Sequence, residues 1–416
     1  MCEEAIYQKL SAGREAAKKF ATASTNSKNE ALKNIALGLR KHTDEIIAAN
    51  QKDLARAKEN GMAQSIQDRL MLNAERVTAL SDAIAEVISL RDPIGEIVRG
   101  STLPNGLRLT QVRVPFGVIG AIYEARPNVT VDIASLAIKS GNAVVLRGGS
   151  AAEETNAVLI AIIQDALEIS GFPRAAVQTV DEFGRAGATA MMRARGYIDV
   201  LIPRGSANLI ETVVREAKVP VIETGAGVVH IYIDKSANLE TVPAIVENAK
   251  VQRPGVCNAV DTVLVHEQVA PEVIAAIESR IADRVELLGD AAAVALGSTV
   301  SAADDSIWGT EHLALRLGIR VVSDVDEAIA HIDRYSTRHT EVVLAEDYSV
   351  VEKFIAEVDA ASVIVNASSR FTDGGVFGFG AEVGISTQKL HARGPMGITE
   401  LTSTKWITRG NGDIRH

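Results

Sequence analysis

The stretch Phe116-Gly-Val-Ile-Gly-Ala-Ile-Tyr123, with the segment 124–150 that follows it, decides the fold. A short apolar run is succeeded by a helical stretch and then by a second apolar run, Ala143-Val-Val-Leu-Arg147. Strands that alternate with helices pair in parallel, because a parallel connection needs a crossover helix. Further apolar runs follow at 177–180, 200–203 and 220–223. We therefore predict an α/β protein with a doubly wound parallel sheet.

Outside this stretch the spacing of apolar residues along the chain changes twice. Residues 1–92 have apolar side chains at helical spacing, and residues 95–114 alternate around Pro104-Asn-Gly106, which predicts helices followed by a β-hairpin. After about residue 227 a second α/β series begins. Its strands are predicted at 230–234, 341–345 and 362–365, and a last alternating segment at 401–409 must pair with another strand.

Composition narrows the class of protein. The chain has 416 residues, 47% of them apolar, which is enough for a large core and for two or three domains. Its net charge of -10 and the lack of a basic block argue against nucleic-acid and membrane partners. The sequence shows neither a long apolar span nor a secretory signal, so we expect a cytoplasmic protein. Two cysteines without zinc-ligand spacing predict reduced thiols and no metal.

Cys257 is the candidate nucleophile. It lies in Val251-Gln-Arg-Pro-Gly-Val-Cys-Asn-Ala-Val260, and a strand-like run, 259–266, follows at once. A thiol just before the start of a strand suits covalent catalysis. The alternative is a buried structural cysteine. Glu223 precedes a glycine-rich turn and could act as acid or base, or face solvent on a loop. Asn128 could donate its amide to an oxyanion, or cap the next helix.

Two glycine-rich turns follow strands of the first sheet, Arg147-Gly-Gly-Ser150 and Arg204-Gly-Ser206. Backbone amides at a helix N-terminus suit phosphate, and glycine lets the ligand come close. Neither turn has the full dinucleotide fingerprint, so an ordinary helix start explains each equally well.

Taken in order, six motifs resemble one family. They are Glu-Ala-Arg-Pro-Asn (124–128), Val-Leu-Arg-Gly-Gly-Ser (145–150), Ile-Pro-Arg-Gly-Ser (202–206), Val-Ile-Glu-Thr-Gly (221–225), Gln-Arg-Pro-Gly-Val-Cys-Asn-Ala (252–259) and Phe-Gly-Phe-Gly-Ala-Glu (377–382). With 322–343 and 388–396 they resemble the gamma-glutamyl phosphate reductases, or glutamate-5-semialdehyde dehydrogenases, of the aldehyde dehydrogenase superfamily. The sequence departs from that family at Arg338 and Ser206, where the family usually has glycine.

The resemblance implies NADPH-dependent reduction of L-glutamyl 5-phosphate to L-glutamate 5-semialdehyde and phosphate, in proline biosynthesis. In that family's pattern Cys257 forms a thioester, Asn128 holds the oxyanion and Glu223 aligns with the superfamily's general base. The residues implied for NADP(H) are Arg147, Gly148, Ser150, Gly205, Ser206 and Glu311. We add Arg126 and Arg253 as candidates for the substrate phosphate, because guanidinium groups pair well with phosphate oxygens.

The resemblance also implies an architecture of two Rossmann-like α/β domains with a small β oligomerisation element. The implied cofactor-binding domain is 1–95 with 115–226, the catalytic domain is 227–394, and the oligomerisation element is 96–114 with 395–416. A homodimer or homotetramer is expected, in which one subunit's strand extends the other's sheet. Transient contact with glutamate 5-kinase is plausible from the lability of the acyl phosphate.

Two alternatives stay open from the residues alone. The first is a related aldehyde or acyl-thioester dehydrogenase with another substrate. The second is a Cys-His hydrolase or acyltransferase, for which four histidines could act as the base: His230, His266, His331 and His339.

Overall fold

The structure, a computed structural model, describes residues 2–415. Its helices are α1 (Cys2–Phe20), α2 (Thr25–Lys41), α3 (Thr43–Glu59), α4 (Gln64–Leu70), α5 (Ala74–Ser89), α6 (Pro127–Lys139), α7 (Glu153–Ile169), α8 (Gly184–Arg193), α9 (Ala207–Glu216), α10 (Val242–Val251), α11 (Ala270–Ile281), α12 (Ala291–Leu296), α13 (Val325–Tyr335) and α14 (Tyr348–Glu357). Short 3-10 helices include Ser150–Ala152, Asp181–Phe183, Asp305–Gly309 and Ser369–Phe371. Within the described range every helix is too short or too polar to cross a bilayer.

The strands are β1 (Ile97–Thr102), β2 (Arg108–Pro115), β3 (Val118–Tyr123), β4 (Ala143–Arg147), β5 (Val177–Thr179), β6 (Val200–Arg204), β7 (His230–Ile233), β8 (Thr262–His266), β9 (Glu286–Gly289), β10 (Ser301–Ala302), β11 (Arg316–Val322), β12 (Thr340–Leu344), β13 (Ser362–Val365), β14 (Gly384–Ser386), β15 (Gly394–Met396) and β16 (Thr402–Arg409). The chain divides into two compact units. Unit 1 is Met1–Glu223 with Gly378–Gly384 and Met396–His416, and unit 2 is Thr224–Phe377 with Ile385–Pro395.

Unit 1 holds a parallel sheet in the order β5-β4-β3-β6. From β3 the chain adds β4 and β5 on one side and then returns to place β6 on the other side, so the strand order reverses between β3 and β6. Ligands of such sheets bind outside the carboxyl ends of the strands at this reversal. The expected parallel sheet is confirmed. The strand predicted at 220–223 is wrong, because only a single bridge, Leu201 to Val221, forms there.

Helix α6 lies in the middle of unit 1, and its Val131, Ile133 and Leu136 are all buried. Behind it, the Lys28 ammonium forms a buried ion pair with Asp92 at 2.6 Å. Burial raises the pKa of Asp92, but hydrogen bonds from Lys28, the Ile94 amide and Thr25 outweigh burial and hold this pKa below its usual value. Helix α6 is thus held by apolar contacts, and the buried charge pair joins α2 to the segment that follows α5.

Unit 1 also carries the predicted hairpin. β1 and β2 pair antiparallel across the turn at residues 103–107, and Gly106 takes the left-handed conformation that the turn needs. The last strand, β16, pairs along its whole length with β2, from Thr402 opposite Pro115 to Arg409 opposite Arg108. The partner that the alternating tail requires is therefore a strand of the same chain, and β1 forms an outer edge of this sheet.

Unit 2 holds a seven-stranded sheet in the order β10-β9-β11-β8-β7-β12-β13, and all its neighbouring strands pair in parallel. Alternate residues of β7 serve two cores: Ile231 and Ile233 pack with α10 and α11 on one face, while Tyr232 packs with α13 and α14 on the other. Both faces of the sheet are covered, which explains its continuous apolar strands. The second α/β series expected from the sequence is confirmed.

Candidate active site

Asn128 lies in the first turn of α6, immediately beyond the end of β3. The chain turns there through Ala125, which has a positive φ of 35°, and Arg126 occupies the N-cap position without a side-chain cap. Asn128 is therefore inside the helix, and the capping alternative for it is wrong. Its amide Nδ2 donates instead to Asp132 Oδ2 at 3.0 Å, one helical turn further on.

That contact fixes the orientation of the Asn128 amide, because one of its two N–H groups is committed to Asp132. Burial raises the pKa of Asp132 to about 6, although the Asn128 hydrogen bond and the charge of Arg204 both act to lower it. Sequence reasoning missed Asp132. The signal was available in the i,i+4 spacing of two polar residues in an otherwise apolar helix.

The turn after β4 forms a pocket. The amide of Gly148 donates to Asp181 Oδ1 at 2.7 Å, and Arg147 Nε donates to the Gly184 carbonyl at 3.4 Å. A side chain at position 148 would have its Cβ only 2.1 Å from Asn156 Nδ2, so the Asn156 side chain would have to move to admit it. The pocket has a volume of about 180 Å³ and is lined by Arg147, Gly148, Gly149, Ser150, Glu153, Asp181, Glu182 and Gly184.

The turn after β6 is held by Glu124. The amide of Ser206 donates to Glu124 Oε2 at 2.8 Å, and a Cβ at Gly205 would come within 2.5 Å of that same oxygen. The Ser206 hydroxyl also accepts from the Leu209 amide, as the N-cap of α9. Ser206 thus has the ordinary helix-start role, and its backbone amide is already committed to a carboxylate.

These three turns follow neighbouring strands, β4, β3 and β6, at the carboxyl edge of the sheet where the strand order reverses. Helix N-termini and glycine-lined backbone at this edge suit a dinucleotide phosphate. The Gly148 cradle and the cation of Arg147 fit such a ligand. Burial raises the pKa of Asp181, which lines the pocket beside Gly148, to about 6. This carboxyl group therefore takes up a proton more readily than an exposed one.

Cys257 lies in unit 2, in an irregular turn between α10 and β8. The Ala259 amide closes this turn by donating to the Val256 carbonyl at 3.1 Å. The thiol is not disulfide-bonded, and the residue is partly exposed rather than buried. This placement favours the nucleophile over the alternative of a buried structural cysteine.

Gly227 joins two of the predicted site residues. A Cβ at Gly227 would lie 1.6 Å from the carbonyl oxygen of Cys257, so the two backbones are in direct contact. The amide of Gly227 donates to Glu311 Oε1 at 2.9 Å. Cys257 and Glu311, which lie far apart in the sequence, therefore meet at one glycine.

A buried ion pair supports this arrangement. Asp261 Oδ1 accepts from Lys250 Nζ at 3.4 Å and from the His312 amide at 3.1 Å, and Asp261 Oδ2 accepts from the Val229 amide at 3.4 Å. The carboxylate thus connects the segments that carry Glu311 and Gly227. Burial raises the pKa of Asp261 and lowers that of Lys250, while each charge stabilises the other. Sequence reasoning missed both, although a charge inside the apolar run 259–266 was the available signal.

The four histidines considered as bases are engaged elsewhere. His230 Nδ1 lies 3.1 Å from Glu341 Oε2 in a fully buried pair, and His266 Nδ1 accepts from the Gln268 amide. His331 packs against the rings of His230, Trp308 and Tyr335, and burial lowers its pKa to about 3. Burial lowers the pKa of His339 to about 4, and its Nδ1 lies 2.8 Å from Thr340 Oγ1. Nothing in these contacts favours a Cys-His hydrolase.

The remaining candidates divide between the units. Arg126 and Glu223, both partly buried, belong to unit 1, and Glu223 is the residue at which that unit's first segment ends. Arg253 belongs to unit 2, is exposed, and makes no hydrogen bond or ion pair with another residue of the described range. An exposed cation near the thiol in sequence suits an anionic substrate.

The fold and these turns define the class of protein. A sequence model described as the aldehyde dehydrogenase family matches residues 2–306, and this is most of the chain. Solved structures under 25% identical share the fold: an engineered glycolyl-CoA reductase with bound NADP+ superimposes with a TM-score of 0.71 at 19% identity, covering 97% of this chain and 96% of that one. The expected fold class, with its two Rossmann-like parallel sheets, is confirmed.

Within that class the chain belongs to the gamma-glutamyl phosphate reductases. It is 58% identical over 407 residues to the gamma-glutamyl phosphate reductase of Clavibacter michiganensis, covering 98% of this chain and 94% of that one. The crystal structure of the Thermotoga maritima enzyme superimposes with a TM-score of 0.96 at 45% identity, covering 99% and 100% of the two chains. The Listeria monocytogenes enzyme is 50% identical over 412 residues, covering 99% of each chain. The resemblance found in the sequence is confirmed.

Proposed function

We propose that this protein reduces L-glutamyl 5-phosphate to L-glutamate 5-semialdehyde, with release of phosphate, as a step of proline biosynthesis. The observation that carries the proposal is the partly exposed thiol of Cys257 on a turn shaped by backbone contact with Gly227. The full-length similarity to gamma-glutamyl phosphate reductases supports the choice of substrate.

In this reaction the Cys257 thiolate attacks the δ-acyl carbon, the carbon–oxygen bond to phosphate breaks, and a thioester forms on the sulfur. Phosphate is a good leaving group, and a thioester stays electrophilic enough to be reduced. Asn128, oriented by Asp132, and the Cys257 amide hold the oxyanion, and each donor contributes about 3 kcal/mol in comparable sites. Hydride addition to the thioester gives a second tetrahedral species. When this species collapses, the carbon–sulfur bond breaks, the aldehyde leaves and the Cys257 thiolate is restored.

NADPH, when bound, supplies the hydride that reduces the thioester. We assign its phosphates to the turns that contain Gly148 and Gly205, because these turns bring backbone close to the carboxyl edge of the unit 1 sheet. Arg147 supplies a cation to the pocket beside them and Ser150 is uncharged, although Glu153, Asp181 and Glu182 line the same pocket. Glu311 is assigned to the nicotinamide ribose.

Cofactor choice is tested by Ser150→Glu. A new carboxylate in the pocket should weaken NADP+ binding at least tenfold and leave NAD+ binding unchanged or better, because only the former carries a 2′-phosphate. Binding is measured by ligand-induced thermal shift as well as by the ratio of specificity constants. Ser170→Glu, at the C-cap of α7, is the matched control. An unchanged ratio in Ser150→Glu would mean that the ribose is recognised elsewhere.

The covalent step is tested by Cys257→Ser, which should fold and bind NADP+ but reduce no substrate. The reverse reaction tests whether phosphate is the group that accepts the acyl group from the thioester. Oxidation of glutamate 5-semialdehyde should need phosphate or arsenate, and without either it should stop after one equivalent of cofactor per site. Sustained turnover in phosphate-free buffer that yields glutamate would make Glu223 a hydrolytic base and the protein an ordinary aldehyde dehydrogenase.

We further propose a cytoplasmic homodimer or homotetramer that assembles through the β1-β2-β16 sheet. β1 is exposed along its whole length, and its Ile97 side chain is 62% exposed. An unpaired strand edge of this kind can accept a strand from a second subunit. Light scattering of the wild type and of Gly100→Pro, which removes an amide from β1, tests the assignment. Contact with glutamate 5-kinase would be tested by sedimentation of the mixed enzymes.

A further inference from the structure

The pocket beside Gly148 has an acidic wall. It is lined by one basic residue, Arg147, and by three acidic residues, Glu153, Asp181 and Glu182. A phosphate monoester carries nearly two negative charges at neutral pH, so a wall with this excess of carboxyl groups repels it. A pocket that accepts the 2′-phosphate of a dinucleotide therefore needs a further cation close by.

Lys9, on α1, places an ammonium group against this wall. Its Nζ donates to the Thr179 carbonyl at 3.1 Å and forms an ion pair with the Glu182 carboxylate. The same Nζ lies 5.7 Å from the centre of the Phe183 ring. The Lys9 carbonyl accepts from Gln178 Nε2 at 2.7 Å, so the main chain and the side chain of this residue both contact the segment that runs from β5 into the pocket wall.

The ion pair changes the charge that a ligand in the pocket meets. Glu182 lines the pocket, and the Lys9 ammonium contacts its carboxylate. An ion-paired carboxylate repels a nearby anion less than a free one, because the positive charge of its partner opposes its own. Since both side chains reach solvent, the pair adds little to the stability of the fold. Its effect falls instead on charged ligands of the pocket.

We propose that Lys9 determines the preference for NADP(H), because it neutralises Glu182 and so lets the pocket accept the 2′-phosphate of the cofactor. This inference rests on the function proposed above. Lys9 acts on the cofactor through Glu182 and takes no part in the chemistry at Cys257. NAD(H) has a ribose hydroxyl in place of this phosphate, and a hydroxyl can donate to a free carboxylate, so loss of Lys9 favours NAD(H).

The test measures the dissociation constants of NADP+ and NAD+ by isothermal titration calorimetry for the wild type, Lys9→Met, Glu182→Gln and the double variant. Lys9→Met should raise the Kd for NADP+ about 5- to 20-fold and leave the Kd for NAD+ unchanged or lower. The double variant removes the carboxylate together with its counter-ion, so its Kd for NADP+ should return to within about threefold of the wild type. Added salt should shrink the effect of Lys9→Met, because it screens the repulsion.

Lys19→Met is the matched control. Lys19 also lies on α1, and its Nζ donates to the Gly171 carbonyl at 2.7 Å, so this variant likewise removes a contact between α1 and a backbone carbonyl. It should keep the wild-type ratio of the two dissociation constants. Lys9→Arg keeps the charge and should also stay close to that ratio. A purely structural role of Lys9 would weaken both cofactors alike, and Glu182→Gln would not repair the loss.

An unchanged ratio of the two dissociation constants in Lys9→Met overturns the proposal, and so does an equal loss for both cofactors that persists in the double variant. If circular dichroism shows that Lys9→Met has not folded, Glu182→Gln decides the matter: it leaves the Lys9 charge unopposed and should tighten NADP+ binding, and an unchanged Kd for NADP+ overturns the proposal. Failure of the wild type to reduce NADP+ with glutamate 5-semialdehyde and phosphate, with the binding ratios as expected, would overturn the proposed function and leave the role of Lys9 standing.

Discussion

Gly227→Ala should disable the protein without unfolding it. Gly227 does not have a positive φ, so the left-handed strain of a side chain does not arise, and the change acts through the added methyl group. That Cβ would lie 1.6 Å from the Cys257 carbonyl oxygen, whereas real Cβ contacts essentially never fall below 3.0 Å. The difference, 3.0 minus 1.6, means that the two backbones must separate by at least 1.4 Å.

A displacement of this size at the nucleophile has a predictable cost. A misplacement of about 1 Å in a reacting group lowers the rate by roughly 100-fold, so we expect kcat/KM to fall at least that much. The change should also lengthen the hydrogen bond that the Gly227 amide donates to Glu311 Oε1. Initial rates are measured by NADPH absorbance, and the accessibility of the thiol is followed by iodoacetamide alkylation.

Gly309→Ala is the control, because it lies in the same unit without a positive φ and its nearest neighbour, Tyr335 Cδ1, is 3.6 Å away. It should keep full activity and its melting temperature. Near-wild-type activity in Gly227→Ala, with an unchanged alkylation rate, would refute the argument that the Cys257 turn depends on this contact.

Two further predictions concern buried carboxyl groups. Asp92→Asn leaves Lys28 buried without its counter-ion and should lower the free energy of unfolding at pH 7 by about 3 kcal/mol. Because the folded pKa of Asp92 is lowered, its stabilising contribution is present at neutral pH and is lost as the pH falls through that pKa. Denaturant titration of the wild type and Asp92→Asn at pH 7 and in acid measures the loss. An equal loss of stability at the two pH values would contradict the prediction. As the pH rises from 4 to 7, the melting temperature of Asp132→Asn should rise relative to that of the wild type. The folded pKa of Asp132 is raised to about 6, so ionisation of this carboxyl group destabilises the wild type. A difference in melting temperature that does not change with pH would argue against that pKa.

The sequence predicted the two parallel sheets and the hairpin, because apolar runs alternating with helical spacing carry this information locally. It failed at 220–223, where an apolar run is followed by Thr224-Gly-Ala-Gly227 and the chain leaves the sheet after one bridge. Apolar character predicts burial, and Ile222 is indeed buried, but pairing depends on a neighbouring strand that extends far enough.

At the site, the residues that resemble known motifs were predictable and their supports were not. Cys257 could be named from local sequence and Glu311 from the family resemblance, whereas the contact of Gly227 with Cys257 joins segments remote in the chain. Asp261 and Asn258 are similar: each is a polar residue in an apolar context whose partners come from other elements. Such partners are set by tertiary packing, which no local pattern encodes.

The pairing of β16 with β2 has a consequence for the order in which the chain folds during synthesis. Unit 1 begins at the N-terminus, yet its antiparallel sheet is completed only by β16, and the buried Asn142 donates to the Leu401 carbonyl. The chain must therefore be synthesised as far as residue 409, through all of unit 2, before the first unit can close. Until then the edge of β2 opposite β1 stays unpaired in the nascent chain, exposed to other nascent chains on the same messenger.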